Sequence, residues 1–294
     1  MVSAAHTVLG EVAAGRLGVV DAHDHLFIRS PRLPGQEMDD AEDAAARLSA
    51  FGSLGGGTVV QWTPYGMGRR IAQLPALSRV SGVHIIAATG LHQAAHYPDT
   101  LLASVRDRLA ELFFAELTEG IGDTGVRAGL IKVAGGFHGL DAHAVLTLRG
   151  AAEAHRHSGA PIAVHLELGT GALDVLDLLC GELGVAPGSV ILGHLNRSPD
   201  FTVHRLAAEA GANLAFDGPS RANHATDWRM PDALRALADA GFADRLLLGG
   251  DTVTPDTPGM PHLLRRVVPR LELDLGRGLL EQILVTNPAR VYTW

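Results

Sequence analysis

The chain reads as a closed (β/α)8 barrel of the TIM type, an α/β fold in a single domain. Three observations predict it. Eight short runs are apolar almost without interruption, which means burial on both faces, as in a parallel sheet covered by helices. Amphipathic stretches of helical period separate those runs almost from end to end. The 294 residues are 47% hydrophobic, with no low-complexity tract and no linker, enough for one large core.

In chain order, residues 1–16 are expected to form an N-terminal cap or short hairpin, and 1–294 one domain. Strands are predicted at 17–21, 58–61, 83–88, 129–133, 161–165, 190–194, 212–216 and 245–248. Helices are predicted at 39–51, 69–80, 100–119, 141–157, 173–183, 202–210 and 231–240, with two more at 260–269 and 278–285. Glycine junctions at 55–57, Gly135-Gly136 and Gly249-Gly250 mark strand boundaries and tight turns.

Composition excludes several classes. A formal net charge of −8 and no Lys/Arg cluster argue against nucleic acid or anionic lipid as a partner. The pairs Arg69-Arg70 and Arg265-Arg266 are too small for a phosphate-tracking stripe. The one cysteine, Cys180, lies inside a helical pattern and can form no internal disulfide, which suits a small core residue and a reducing cytoplasm. The first residues lack a basic segment followed by a sustained apolar one, so no signal peptide is expected. No run approaches the ~20 apolar residues of a membrane span.

Six polar residues stand at or just past the C-terminal ends of the apolar runs: His23, His25, Lys132, His165, His194 and Asp251. Barrel active sites are built at that rim, and polar groups there are costly unless something binds them. His23 and His25 are two apart on an extended segment, so both project to one side. Taken singly, each histidine could be a hydrogen-bonded core residue, and Asp251 could cap the next segment. Together they fit a pair of divalent metals. Lys132 is the most diagnostic, because burial should lower its pKa and leave the amine nucleophilic. It can react with CO2 to give a carbamate, form a Schiff base with a carbonyl substrate, or simply pair with a carboxylate in solvent. The histidine cluster favours the carbamate.

The segments DAHDHL, GIGDTGVRAGLIKVAGG, APIAVHLELGT, VILGHLNRSPD, LAFDGPSR, LLLGGD and VTNPARVY resemble the phosphotriesterase-like branch of the amidohydrolase superfamily. GGGTVVQWTPYGMGRR and VHIIAATGL extend the likeness, which covers about residue 8 to 294 in order and spacing. The resemblance implies a (β/α)8 barrel with a binuclear centre. By position, His23, His25 and Asp251 would hold the buried ion, and His165 and His194 the more exposed one. Carboxylated Lys132 and a hydroxide would bridge both, and Asp251 would carry the proton to the leaving oxygen. Zinc suits these ligands, as do manganese, cobalt or iron. A homodimer is also implied.

HLNRSPD and FDGPSR look closest to the group that opens sugar lactones, some of them phosphorylated. This chain reads TVTPDTPG after Asp251, where those relatives often carry an arginine pair and a tyrosine, and ANHATDW after Arg221, where a basic residue is usual. Losing cations that grip phosphate disfavours a phosphorylated substrate. Arg69, Arg197 and Arg221 remain as anion contacts or structural ion pairs. The residues after His194 also lack the acidic proton relay of organophosphate hydrolases. His92 and Tyr97 are weaker substrate-side candidates, Asp217 is expected to orient a ligand, and His96, His138 and His143 lie near the same rim. Asp24 is expected behind the metal ligands or in solvent. His155 and His157 suit a helix C-terminus.

The leading expectation is a metal-dependent lactonase or related carboxylic-ester hydrolase acting on a small molecule. The alternatives are phosphotriester hydrolysis at the same centre, a metal-containing barrel that binds a ligand without useful turnover, and a lysine-dependent aldolase.

Overall fold

The computed structural model describes residues 4–218, 224–256 and 259–294. Eight parallel strands form one sheet in chain order: β3 (Val19–Asp24), β4 (Gly56–Gln61), β5 (His84–Thr89), β6 (Leu130–Ala134), β7 (Ile162–His165), β8 (Val190–Gly193), β9 (Asn213–Asp217) and β10 (Leu246–Gly249). Helices cross between them, and the sheet curls into a TIM barrel. A hairpin of β1 (Ala4–Thr7) and β2 (Gly10–Ala13) precedes it.

The period-2 alternation of each strand separates two cores. Val20, Val60, Ile86, Leu130, Ala163, Ile191, Ala215 and Leu247 point inward and pack with Leu17 and Tyr292. Their neighbours Val59, Ile85, Ile131, Val164, Leu192, Leu214 and Leu248 point outward under the helices. Burial on both faces explains why the runs are apolar throughout. The C-terminus plugs the floor: the Tyr292 hydroxyl donates to Ala22 O at 2.7 Å and Trp294 Nε1 to Gly129 O at 2.9 Å.

The seam between β10 and β3 is closed by a different device. No regular ladder joins them. Instead Asp251 N donates to His23 O (2.9 Å), Gly250 N to Asp21 Oδ1 (3.1 Å) and Thr252 N to Asp24 Oδ1 (2.9 Å). The two chains approach so closely that a Cβ on Gly249 would lie 2.7 Å from His23 N, so glycine is required there.

Several boundaries differ from the sequence expectation. The first barrel strand is Val19–Asp24 rather than 17–21, so His23 lies within it, where a register irregularity between Asp21 and Asp24 breaks the pairing with β4. The single helix expected at 100–119 is two, Asp99–Val105 and Leu109–Thr118, joined by a 3-10 turn. The stretch 173–183 passes from α (Ala172–Leu176) into a π segment (Asp177–Glu182), and π segments also interrupt both C-terminal helices. Among the described residues no helix is long and apolar enough to cross a membrane.

Candidate metal centre

At the C-terminal mouth of the barrel lies a cavity of about 630 Å³. All six polar residues singled out in the sequence line it: His23, His25, Lys132, His165, His194 and Asp251. The strand period places two of them. Lys132 stands two residues beyond inward Leu130 and His165 two beyond Ala163, so both point into the barrel above its apolar filling. His194 (φ 65°) and Asp251 (φ 49°) reach the same point by a left-handed residue just past the strand end. That conformation is strained for a side-chain-bearing residue and turns each chain sharply over the mouth.

The imidazoles are fixed one by one through their outer nitrogens. Asp217, its carboxyl held well below the usual range against the cost of burial by His194 and Arg197, is ionised and can only accept. Hence His23 Nδ1 (3.1 Å) and His194 Nδ1 (2.9 Å) both donate to it. The Thr63 hydroxyl spends its proton on Phe27 O at 2.6 Å and therefore accepts from His25 Nδ1 at 2.7 Å. Glu167, lowered to about 2 chiefly by its hydrogen bond from His165, accepts from His165 Nε2 at 3.1 Å. Each ring is left with a bare lone pair, and all four face the cavity centre.

Those lone pairs form two groups. His23 Nε2 and His25 Nε2 lie 3.4 and 3.6 Å from Asp251 Oδ1, the spacing of donors around one ion with bonds near 2 Å. His165 Nδ1 and His194 Nε2 face each other at 2.7 Å. That is hydrogen-bond reach, and each ring turns to this point the nitrogen opposite its carboxylate anchor. His23, His194 and Asp217 also cluster within 4.8 Å, but there the carboxylate meets the Nδ1 side of both rings and serves to orient them. Trp62 stacks on His23 at 3.8 Å and seals it from beneath.

Lys132 is buried, and its amine makes no hydrogen bond or ion pair among the described residues. Burial lowers its pKa to about 7, with Asp251 opposing. Burial likewise lowers His25, takes His92 and His165 well below the ordinary value and His194 to about 4, so these four imidazoles are neutral. A neutral set of nitrogens with one buried carboxylate is what a divalent cation requires.

The other candidates fall in different places. Arg197 lines the cavity, with Nη2 in contact with Asp251 Oδ2 and 3.5 Å from Asp217 Oδ1. His92, His96 and His143 also line it, the first with its ring against His165. Tyr97 and Asp217 do not reach the cavity. The Tyr97 hydroxyl accepts from His92 N at 2.7 Å, and Asp217 stands fully buried behind His23 and His194. Arg69 is no anion contact: it is buried in a two-armed ion pair with Glu116 and donates to Ala88 O. Arg221 lies outside the described residues. Asp24 is fully buried, accepting from His25 N at 2.7 Å and from Thr252 N.

Three residues that matter were not visible in the sequence reading. Thr63 and Glu167 fix the rings of His25 and His165, and Asp21 ties the Gly250 turn to β3. Glu167 carries a weak signal, since it lies two residues past His165. Thr63 carries none, because its partner is 38 residues away.

Fold and site together define a barrel hydrolase of binuclear type, and the comparisons bear on which one. The model of the phosphotriesterase family matches residues 3–292, and the chain belongs to that family. It is similar to a phospho-furanose lactonase from Mycoplasmopsis agalactiae, 30% identical over 97% of this chain and 90% of that protein. Among solved structures, a lactonase from Listeria monocytogenes superposes with a TM-score of 0.90 at 26% identity, covering 99% of both chains. A mutant organophosphorus hydrolase from Deinococcus radiodurans gives 0.87 at 29% identity, covering 98% of this chain and 97% of that one.

Proposed function

We propose that the chain is a metal-dependent lactonase or related carboxylic-ester hydrolase with a binuclear centre. The observation that carries this is the set of four imidazoles whose outer nitrogens are all committed as donors while their inner lone pairs converge on the cavity. His23, His25 and Asp251 would hold one ion, His165 and His194 the other, and Lys132, as its CO2 carbamate, would bridge them. Zinc suits this nitrogen-rich set best; manganese, cobalt and iron are the other candidates. Once bound, the pair would polarise an ester carbonyl and acidify a water near neutral pH.

The protein's own groups set the rest. Asp251 turns Oδ1 toward the His23 and His25 nitrogens and Oδ2 toward Arg197. Burial opposes its ionisation, but Arg197, His194 and His23 hold its carboxyl well below the usual range. A proton taken up at Oδ2 is therefore readily given to a strongly basic oxygen, such as the alkoxide released when a lactone ring opens. Arg197 cannot accept that proton, so it returns to the product and does not pass outward. This favours esters of poor leaving groups over phosphotriesters. His92 and Arg197 are the substrate-side residues we propose, and Arg221 is kept as a candidate from the sequence alone; Asp217 and Tyr97 would act only through the residues they hold. A reducing cytoplasm would suit the lone thiol Cys180, and the homodimer is proposed on the sequence resemblance alone.

The test is a panel of lactones, aliphatic esters and phosphotriesters on metal-reconstituted protein, with His23→Asn as the blank. Lactones should turn over fastest. A phosphotriester faster than every lactone would move the native role to that class. No turnover of any member, with two ions bound, would leave a binding protein.

A further inference from the structure

Asp217 closes β9 with no solvent exposure, and every polar atom it has is engaged. Oδ2 accepts from His23 Nδ1 and from His194 N, each at 3.1 Å. Oδ1 accepts from His194 Nδ1 at 2.9 Å. Its backbone is clamped by one side chain: Asn196 Nδ2 donates to Asp217 O at 2.6 Å, and Asp217 N donates to Asn196 Oδ1 at 3.0 Å. The other two rings are held separately, His25 by Thr63 and His165 by Glu167.

His23 belongs to one lone-pair group and His194 to the other, and among the described residues Asp217 is the carboxylate that accepts a hydrogen bond from a ring of each. We infer that Asp217 is a shared positioning residue that fixes the tautomer and aim of one histidine in each half, so that both halves depend on a single side chain. This rests on the metal-centre reading above. The physical reason is the acceptor-only character of a carboxylate. Three N–H donors converge here, His23 Nδ1, His194 Nδ1 and His194 N, and the two oxygens of a carboxylate accept from all three. An amide in the same place offers one oxygen and one NH2. The NH2 can lie against either N–H, so neither imidazole keeps an assured acceptor at Nδ1, and both turn or change tautomer, presenting a hydrogen where an ion needs a lone pair.

The experiment compares wild type, Asp217→Asn and Thr63→Val as full-length protein. Imidazole nitrogen NMR of the metal-free proteins reads the tautomers, with His23→Asn and His194→Asn giving the assignments. In Asp217→Asn the signals of both His23 and His194 should leave the Nδ1–H form, whereas Thr63→Val should move His25 alone. Zinc titration with stoichiometry by elemental analysis gives the second readout. Asp217→Asn should weaken both ions by roughly tenfold or more, the usual effect of losing a residue that orients a ligand. A change confined to His23 or to His194, or loss of one ion with the other bound as tightly as in wild type, would overturn the inference. Should Asp217→Asn fail to fold, metal-free wild type decides it: either ring found with Nδ1 unprotonated removes the shared contact. Failure of wild type to take up any ion would sink the metal reading instead, leaving the tautomer result to stand alone.

Discussion

His165 Nδ1 and His194 Nε2 face each other at 2.7 Å while the opposite nitrogen of each ring donates to a carboxylate, Glu167 for the first and Asp217 for the second. Two lone pairs are thereby aimed at one point from strands β7 and β8. The carboxylates do more than hold the rings still: they decide which nitrogen is free.

Glu167 is the half-buried member of that pair of anchors, steadied by Gln93 Nε2 at 2.9 Å. Glu167→Leu frees His165 Nε2 and lets the proton move to Nδ1. One ion per chain should be lost on buffer exchange, with affinity down by roughly 10–100-fold, while the His23/His25 ion stays. Retention of two ions at wild-type affinity would show that Glu167 does not orient the ring.

Arg197 touches Asp251 Oδ2, and its fixed charge favours the ionised carboxyl. Removing that charge raises the Asp251 pKa. If ionised Asp251 is needed for turnover, the acid limb of kcat/KM must then move to higher pH. Arg197→Met should shift it upward by about one unit or more, the size expected of an opposite charge in contact. Arg197→Lys should restore most of the wild-type profile. A limb that does not move in Arg197→Met would separate Arg197 from Asp251 ionisation.

Lys132 gives the chelated, CO2-free protein a pH dependence of its own. Burial lowers the folded pKa to about 7, below the ordinary 10.5. Below pH 7 both states bind the proton, and the folded state bears the full cost of a buried ammonium. Between about 7 and 10.5 the folded state is already neutral and the unfolded one is not, so that cost fades as pH rises. Lys132→Met should therefore raise unfolding stability in urea at pH 6.5 by a few kcal/mol, since each pKa unit is worth about 1.4 kcal/mol. The gain should shrink toward pH 10. A gain independent of pH would mean the amine is not buried in the metal-free protein.

The six cavity-lining residues were legible because strand periodicity and rim position are local properties. A histidine two beyond an inward alanine, as at His165, must point into the mouth once Ala163 is known to face the barrel. Asp217 was expected to orient a ligand, but its partners were not legible, since it reaches His23 across 194 residues; Thr63, which reaches His25 across 38, was not legible at all. Arg69 shows the converse: an arginine near the rim in sequence, it is drawn into a buried pair with Glu116, 47 residues on.

By itself the sequence determined the barrel, the six cavity-lining ligand candidates and the family likeness, because each depends on residue type and spacing along the strands. Only the tertiary structure decided which nitrogen of each histidine is free, that Asp217 and Tyr97 stand behind the site, and that Asp251 divides its oxygens between ligand nitrogens and a guanidinium. Those are pairings between side chains brought together by closure of the barrel. The seam itself, stitched by Asp21 and Asp24 to the Gly250–Thr252 turn, fixes where Asp251 stands relative to His23.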